Sequence, residues 1–447
     1  MTDRPEGVEA GEDGTPVIVA AWMREPHLQR LLEHLRTGAR CGVDGAAEPT
    51  GEPGLSYVVG GAVRNTLLGL PVKDVDVATS VRPERVTSIA EALGYRVVPT
   101  GIAHGTVTVV TPAGPYEVTT FRRDAETDGR HARVVLVEEM RLDAKRRDFT
   151  INALYADPDG TVTDVVGGLP DIEARTVRFI GDADARIQED YLRILRFFRF
   201  HAHYGRGRPD ADGLRACARG KDGLARLSVE RVWSELRRML EAPDIALTLL
   251  WMRQTGVLTA VLPETERWGI DAIHALQATE RALGWTPDPL LRLQAIVPPD
   301  PARMAALGER LKLSKVETER LTLWAMCEPV APDTSEVVLG KRLYREGVQP
   351  ILDRLRLALA TARAKAIEGG TDAMMEAGRL AALTDFAEAW VRPAFPLQGR
   401  DLIETGMAAG PELGATLKRL EDAWIEAGFL PDRDALIASA LSAGMGE

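Results

Sequence analysis

Asp74 and Asp76 stand two residues apart, and ten residues before Asp74 lies Arg64, just after the pair Gly60-Gly61. If the run from Val75 to Ala78 is extended, alternate side chains share one face and both carboxylates project together. Hard oxygen ligands of this kind suit Mg2+, and two such ions can stabilise the attacking and the leaving oxygens of a phosphoryl displacement. The glycines let a backbone approach phosphate oxygens, a helix starting beside them offers N–H groups and a favourable dipole, and Arg64 adds a charged fork. Alone, a Gly-Gly is a turn and an Asp-x-Asp is a solvated strand edge; combined, they outline a site for a triphosphate and a metal. No Lys-Ser/Thr follows the glycines, so this is not a P-loop, and the spacing is not that of a dinucleotide fingerprint. Glu117, within Tyr116-Glu-Val-Thr-Thr-Phe121, is a candidate third acid, the other reading being a surface strand glutamate. His104-Gly105-Thr106 shapes a turn before a strand.

Two further clusters carry charge. Lys145-Arg146-Arg147-Asp148-Phe149-Thr150-Ile151-Asn152 offers donors for phosphates and an acceptor for a ribose hydroxyl, unless it is a helix-capping cluster at a surface. Glu189-Asp190-Tyr-Leu-Arg193-Ile-Leu-Arg196-Phe-Phe-Arg199-Phe200 predicts a helix on which Asp190, Arg193 and Arg196 occupy neighbouring positions, while Leu192, Leu195 and Phe198 line another face. An Asp and an Arg held side by side present an acceptor and several donors to a base edge. The plainer reading is a salt-bridged amphipathic helix.

Positioning these groups falls to two kinds of chain. Short β-branched runs at Tyr57 to Gly60, Val75 to Ala78, Tyr95 to Pro99, Thr106 to Thr111, Tyr116 to Phe121 and Val134 to Val137 alternate with helical stretches near 62–69 and 83–93. After about residue 180 the periodicity is helical to the end. Ahead of them, residues 1 to about 15 read as a mobile tail, Val17 to Leu35 as one or two helices, and Gly42 to Gly54 as a linker.

At 447 residues, 45% apolar and 27% charged, the chain is folded and exceeds what one core serves. No apolar run approaches a membrane span, and the patch Pro16 to Trp22 follows acids instead of a basic leader, so neither span nor signal peptide is expected. Cys41, Cys217 and Cys327 lack metal-ligand spacing and read as buried thiols in a reducing cytoplasm. The net charge of −11 argues against indiscriminate coating of nucleic acid, yet residues 141–240 hold 19 Lys and Arg against 16 Asp and Glu, leaving 36 against 50 elsewhere. A polyanion site therefore involves this segment. The cations between Lys341 and Arg363 are a second candidate surface, with a solvated helix face as the alternative.

Taken together, Gly60-Gly-Ala-Val-Arg64, Leu67-Leu-Gly69, Lys73-Asp-Val-Asp-Val-Ala-Thr79, His104-Gly-Thr106, Lys145 to Ala153, Glu189-Asp-Tyr-Leu-Arg193 and Ser228-Val-Glu-Arg231 resemble class II, bacterial-type CCA-adding enzymes, relatives of bacterial poly(A) polymerases. The motifs keep family order over residues 55 to 240. Gly399-Arg-Asp-Leu-Ile403 and Gly410-Pro-Glu-Leu-Gly414 resemble the family's tail more weakly.

The resemblance implies an α/β nucleotidyltransferase head, a mixed sheet with helices, followed by an all-α neck, body and tail. The implied divisions are an N-terminal extension over 1–50, partly disordered, the head over 51–180, the neck over 181–255, the body over 256–375 and a tRNA-binding tail over 376–447. It implies that Asp74 and Asp76 are catalytic metal ligands for Mg2+, that Gly61 and Arg64 contact nucleotide, that Arg147 meets the triphosphate, and that Asp148 touches ribose. Asp190 and Arg193 match the protein template for cytosine or adenine, with Arg196 and Arg199 as further nucleotide contacts. Ser228 matches a helix N-cap, with Glu230 and Arg231 supporting the neck. The implied substrates are CTP, ATP and the 3′ end and acceptor arm of tRNA, without a membrane partner. Asn65 departs from the family's usual Asp, and no adjacent His-Asp pair signals an appended phosphohydrolase. A poly(A) polymerase or a C-only or A-only enzyme on the same scaffold is the nearest rival reading, and a non-catalytic RNA-binding protein the rival from another class.

Overall fold

Two β-branched textures distinguish the strands. Ser56–Val59 is buried throughout, as a central strand requires, whereas Thr106–Thr111 alternates, burying Val107, Val109 and Thr111 and leaving Thr106, Thr108 and Val110 half-buried on the other face. A computed structural model describes residues 4–41, 47–49, 53–127, 132–266 and 268–444, in two units, Met1–Val261 and Leu262–Glu447.

In the first unit, β1 (Val8–Ala10) and β2 (Pro16–Ile18) form a hairpin, α1 (Pro26–Thr37) follows, and β3 (Ala39–Cys41) pairs with β4 (Ala47–Pro49). Next come β5 (Ser56–Val59), α2 (Gly61–Leu67), β6 (Asp76–Thr79), α3 (Pro83–Ala92), β7 (Arg96–Gly101), β8 (Thr106–Thr111) and β9 (Gly114–Thr120). A hairpin of β10 (Arg122–Thr127) and β11 (Ala132–Leu136) leads through α4 (Met140–Arg146) to β12 (Leu154–Ala156), β13 (Val162–Asp164) and α5 (Gly168–Glu173). The rest is helical: α6 (Ala183–Glu189), α7 (Leu192–Tyr204), α8 (Ala211–Gly220), α9 (Val229–Leu240), α10 (Ala246–Gln254) and α11 (Val257–Val261).

Seven strands make one mixed sheet in the order β13-β12-β5-β6-β9-β8-β7, antiparallel except between β6 and β9. A parallel pair needs a long crossover, and α3, β7 and β8 supply it. That register sets Asp76 opposite Glu117 and Val77 opposite Val118. Tyr57, Val59, Phe121, Ala144 and Tyr155 pack into one core beneath α4, while Phe149, Phe179, Phe197 and Phe200 stack where α7 meets the sheet domain.

The N-terminal expectations need correction. Residues 8–18 are a docked hairpin, not a tail: Ile18 donates from its amide to the Gly160 carbonyl at 2.8 Å, and a Cβ on Gly160, at φ +91°, would meet the Ile18 oxygen at 2.1 Å. One helix, α1, buries Leu28, Leu31, Leu32 and Leu35 completely, and the Ser56 hydroxyl donates to the Leu32 carbonyl at 2.8 Å. Residues 4–37 thus belong to the head. The linker reading falls partly outside the described residues; within it, Ala47–Pro49 is a strand. The helical neck contains the break at Asp190 described below.

The second unit is helical: α12 (Ala272–Leu283), α13 (Pro289–Gln294), α14 (Pro301–Leu311), α15 (Lys315–Met326), α16 (Glu336–Glu346), α17 (Val348–Ile367), α18 (Thr371–Ala389), α19 (Gly399–Glu404), α20 (Pro411–Glu426) and α21 (Arg433–Gly444). Helices α17 and α18 share a core of Leu355, Leu359, Leu380 and Leu383. The expected body–tail division at 375/376 falls inside α18 and does not separate structural pieces. A buried pair, Arg292 with Glu280 at 2.6 Å, ties α13 to α12. Arg320 joins Asp288 and the fully buried Asp353 at 2.6 and 2.7 Å.

Candidate active site

Strand β5 ends at Gly60, whose φ of +73°, a conformation L side chains rarely adopt, turns the chain directly into α2 beside Arg147 and Asn152. The turn opens onto a cleft of about 430 Å³ lined by Gly60, Gly61, Arg64, Asp76, Arg146, Arg147, Asp148, Asn152, Asp190, Leu192, Arg193, Arg196 and Arg231. Six arginines against three aspartates make it cationic inside a chain of net charge −11.

Asp76 opens β6, while Asp74 lies in the irregular segment before it, so the pair is not carried on one strand as expected. Asp76 lines the cleft and Glu117 is its ladder neighbour on β9. Burial raises the Asp76 carboxyl above its ordinary value, Glu117 and Asp74 add to this, and Arg147 opposes it. A strand-end carboxylate with acidic neighbours fits a divalent cation. Among the described residues no three His, Cys, Asp or Glu side chains are gathered closely enough to enclose an ion. Mg2+ needs fewer, because it keeps several waters and takes one or two carboxylates plus substrate phosphates.

Arg147 is set by Asp143 four residues earlier, at the end of α4: Nη2 meets Asp143 Oδ2 at 3.1 Å, and Arg146 meets Oδ1 at 2.8 Å. The Tyr155 hydroxyl donates to the same carboxylate at 2.8 Å. Burial opposes the charge on Asp143, but Arg147 and Arg146 outweigh it and hold the carboxyl below its usual range. Asp148 is equally committed. Its Oδ1 accepts from the Phe149 amide and Asn152 Nδ2, both at 2.9 Å, and its Oδ2 accepts from Arg196 Nε at 2.8 Å. Instead of standing free for a ribose, Asp148 fixes Arg196. Arg64 donates to Asn152 Oδ1, Asn65 Oδ1 and the Tyr204 hydroxyl, so its fork is largely occupied by protein.

Asp190 and Arg193 both reach the cleft, by different means than expected. Asp190, at φ −155° and ψ 109°, breaks the helix between α6 and α7, and its Oδ1 accepts from the Leu192 amide at 3.0 Å. Its Oδ2 pairs with Arg231 of α9 at 2.6 Å. Arg193 pairs with Glu189 and donates to the Arg186 carbonyl at 2.7 Å. Arg186 in turn meets Glu189 at 2.5 Å and donates to the carbonyls of Arg146 and Arg147 at 2.5 and 2.8 Å. Arg199 is not on the cleft wall; it turns to the buried Glu235 of α9 at 2.5 Å. Ser228 occupies the N-cap position of α9 without a capping bond from its side chain. His104 sits in the turn before β8, where its carbonyl accepts from Arg122.

Sequence reading missed Asp143, Tyr155, Arg186 and Glu235. Asp143 was available as an i, i+4 partner of Arg147. Tyr155, Arg186 and Glu235 carry no local signal, because their partners lie on other elements. The cations from Lys341 onward are mostly neutralised: Lys341 and Arg345 meet Glu426, both at 2.9 Å, Arg342 meets Glu346 at 2.8 Å and Arg356 meets Glu388 at 2.7 Å.

A mixed sheet with a Gly-turn-helix and a strand-end carboxylate facing an arginine wall is the arrangement of a nucleotidyltransferase head. Residues 56–178 match the family described as Poly A polymerase head domain, and residues 210–268 match the probable RNA and SrmB-binding site of polymerase A. The chain is 34% identical over 397 residues to the mitochondrial CCA tRNA nucleotidyltransferase 1 of Mus musculus, covering 85% of each chain. It is 32% identical over 389 residues to the CCA-adding enzyme of Leuconostoc mesenteroides, covering 85% of this chain and 90% of the relative. The crystal structure of the Bacillus stearothermophilus CCA-adding enzyme in complex with CTP superposes with a TM-score of 0.67 at 26% identity, covering 94% of this chain and 98% of that one. The chain belongs to the family of CCA-adding enzymes.

Proposed function

We propose that this protein adds C, C and A from CTP and ATP to the 3′ end of tRNA, without a nucleic-acid template and with release of pyrophosphate. The observation that carries the reading is one cleft onto which Asp76, Arg147, Asp190 and Arg193 all open. A divalent cation, which we take to be Mg2+ held by Asp74 and Asp76, supplies activation of the attacking hydroxyl and neutralisation of phosphate charge when bound. Glu117, the ladder neighbour of Asp76, is the candidate third acid. Arg147 and Arg146, set by Asp143, hold the triphosphate, and Gly61 leaves room for it against the backbone. The tRNA 3′ oxygen bonds to the α-phosphorus as the bond from that phosphorus to the β-phosphate oxygen breaks.

Base choice follows from donors and acceptors. Cytosine and adenine each present an amine donor beside a ring-nitrogen acceptor, which complements the Asp190 carboxylate and the Arg193 guanidinium. Guanine and uracil present a carbonyl and a ring N–H in those places, which sets acceptor against acceptor and donor against donor. Arg196 lies beside them on the cleft wall as a further contact, and Arg199 supports it through Glu235. A cytoplasmic location fits Cys217 and Cys327, both buried free thiols; the Cys41 side chain lies outside the described residues. No helix is long and apolar enough to cross a membrane among the described residues.

Pyrophosphate release tests the assignment. With Mg2+ and tRNA lacking its last three nucleotides, release from CTP is expected without ATP, and negligible release from GTP or UTP. Equal release from all four nucleotides would refute the base-reading role of Asp190 and Arg193.

A further inference from the structure

Arg186 belongs to α6 and is not on the cleft wall, yet it touches both groups of arginines that are. Helix α4 ends at Arg146, and the last carbonyls of a helix have no partner within it. The buried Arg186 side chain supplies one. Its Nη2 donates to the carbonyls of Arg146 and Arg147 at 2.5 and 2.8 Å, which puts a cation where a helix C-terminus favours it. Its Nη1 donates to Glu189 Oε2 at 2.5 Å, and the same oxygen accepts from Arg193 Nη1. Arg193 closes the ring by donating to the Arg186 carbonyl at 2.7 Å. One side chain thus joins the end of α4, which carries Arg146 and Arg147, to the start of α7, which carries Arg193.

The backbone alone does not make this connection. Asp190 interrupts the helical ladder between α6 and α7, and both side-chain bonds of Arg193 reach back over that break, to Glu189 and to the Arg186 carbonyl. Burial opposes the charge on Glu189, but Arg193 and Arg186 outweigh it and hold its carboxyl below the usual range. A second tie, Arg196 Nε to Asp148 Oδ2 at 2.8 Å, fastens α7 to the chain after α4 further along the helix, without a bond to Arg193. Arg186 is therefore the link that reaches Arg193 itself.

We propose that Arg186 is a positioning residue that holds the base-reading Arg193 at a fixed distance from the phosphate-holding end of α4, so that base choice depends on a side chain standing off the cleft wall. The inference rests on the nucleotidyl-transfer reading. A nucleotide seated by its triphosphate presents its base edge at one place, and Arg193 meets that edge in the geometry its hydrogen bonds need while Arg186 spans the gap.

The test compares the full chain with R186M and R186K in steady-state addition from CTP and from UTP to tRNA lacking its last three nucleotides, with inorganic tripolyphosphate as a calorimetric probe of the phosphate seat. R186M is expected to lower the CTP-over-UTP ratio of kcat/KM about tenfold, the scale of one hydrogen bond to a charged group. Tripolyphosphate binding should change little, because Asp143 still fixes Arg147. R186K, which keeps a cation at the end of α4, should recover part of the ratio, and it carries the test alone if R186M does not fold. The ratio compares two substrates of one preparation, so a misfolded fraction leaves it unmoved. An unchanged ratio, with addition slowed alike from CTP and UTP, would overturn the inference. Loss of tripolyphosphate binding in step with the ratio would overturn it too, by confining Arg186 to the phosphate seat. A wild-type chain without preference for CTP over UTP would overturn the base-reading assignment, and the inference with it.

Discussion

Asp76 and Arg147 divide the chemistry between a strand end and a helix end, and each depends on neighbours that settle its charge. Asp76, raised by burial, Glu117 and Asp74, is a carboxylate made more favourable by a bound cation. Replacing it with Asn is expected to lower kcat by about three orders of magnitude, several kcal/mol of transition-state stabilisation, with the fold intact by circular dichroism. Glu189 is the second test at this scale, since its carboxylate holds both Arg186 and Arg193. E189Q should reduce the preference for CTP over UTP in kcat/KM by about tenfold or more. An unchanged ratio would show that Arg193 is oriented by other means. Much of this was legible in residue types: the acids, the glycines and the arginines recur in the cleft. Arg199 was not, because its spacing on α7 says nothing about Glu235, 36 positions away, which draws it off the wall.

At the scale of elements, alternation and β-branching located β5, β6, β8 and β9, and the 3.6-residue period marked the chain from about residue 180 onward as helical without delimiting its helices. What periodicity could not supply was decided by contacts remote in sequence. The N-terminal hairpin is too short to announce itself and is held by Gly160 and Thr161. Strands β12 and β13 run to three residues each, and Asp190 breaks a pattern that reads as continuous helix. Helix α7 also carries a titration. His201 is buried there, and burial pushes its pKa down to about 4 from the ordinary 6.5. The unfolded chain then binds a proton that the folded chain refuses, so the stability involved is complete above pH 6.5 and declines as pH falls toward about 4. A shift of this size corresponds to at most about 3 kcal/mol. Thermal midpoints at pH 7.5 and 5.0 should therefore converge in His201→Asn relative to wild type, whatever the variant's own midpoint, and an equal pH slope in both proteins would contradict this.

At the scale of the molecule, charge and division into units separate stability from chemistry. The arginine wall lies wholly in the first unit, whereas the cations of α16 and α17 are largely spent on Glu426, Glu346 and Glu388. The second unit is held by buried pairs of its own. Removing Glu280 takes the carboxylate from the buried Arg292 guanidinium, and E280A should cost about 3–5 kcal/mol in denaturant unfolding. The central claim is stepwise, self-limiting addition. It is tested most directly by giving the purified protein Mg2+ and tRNA lacking its last three nucleotides, with CTP, ATP or both, and sizing products at single-nucleotide resolution. Two additions with CTP alone and one further addition when ATP is also present, then arrest, is the predicted result; a long ladder of A, or no extension, would contradict it.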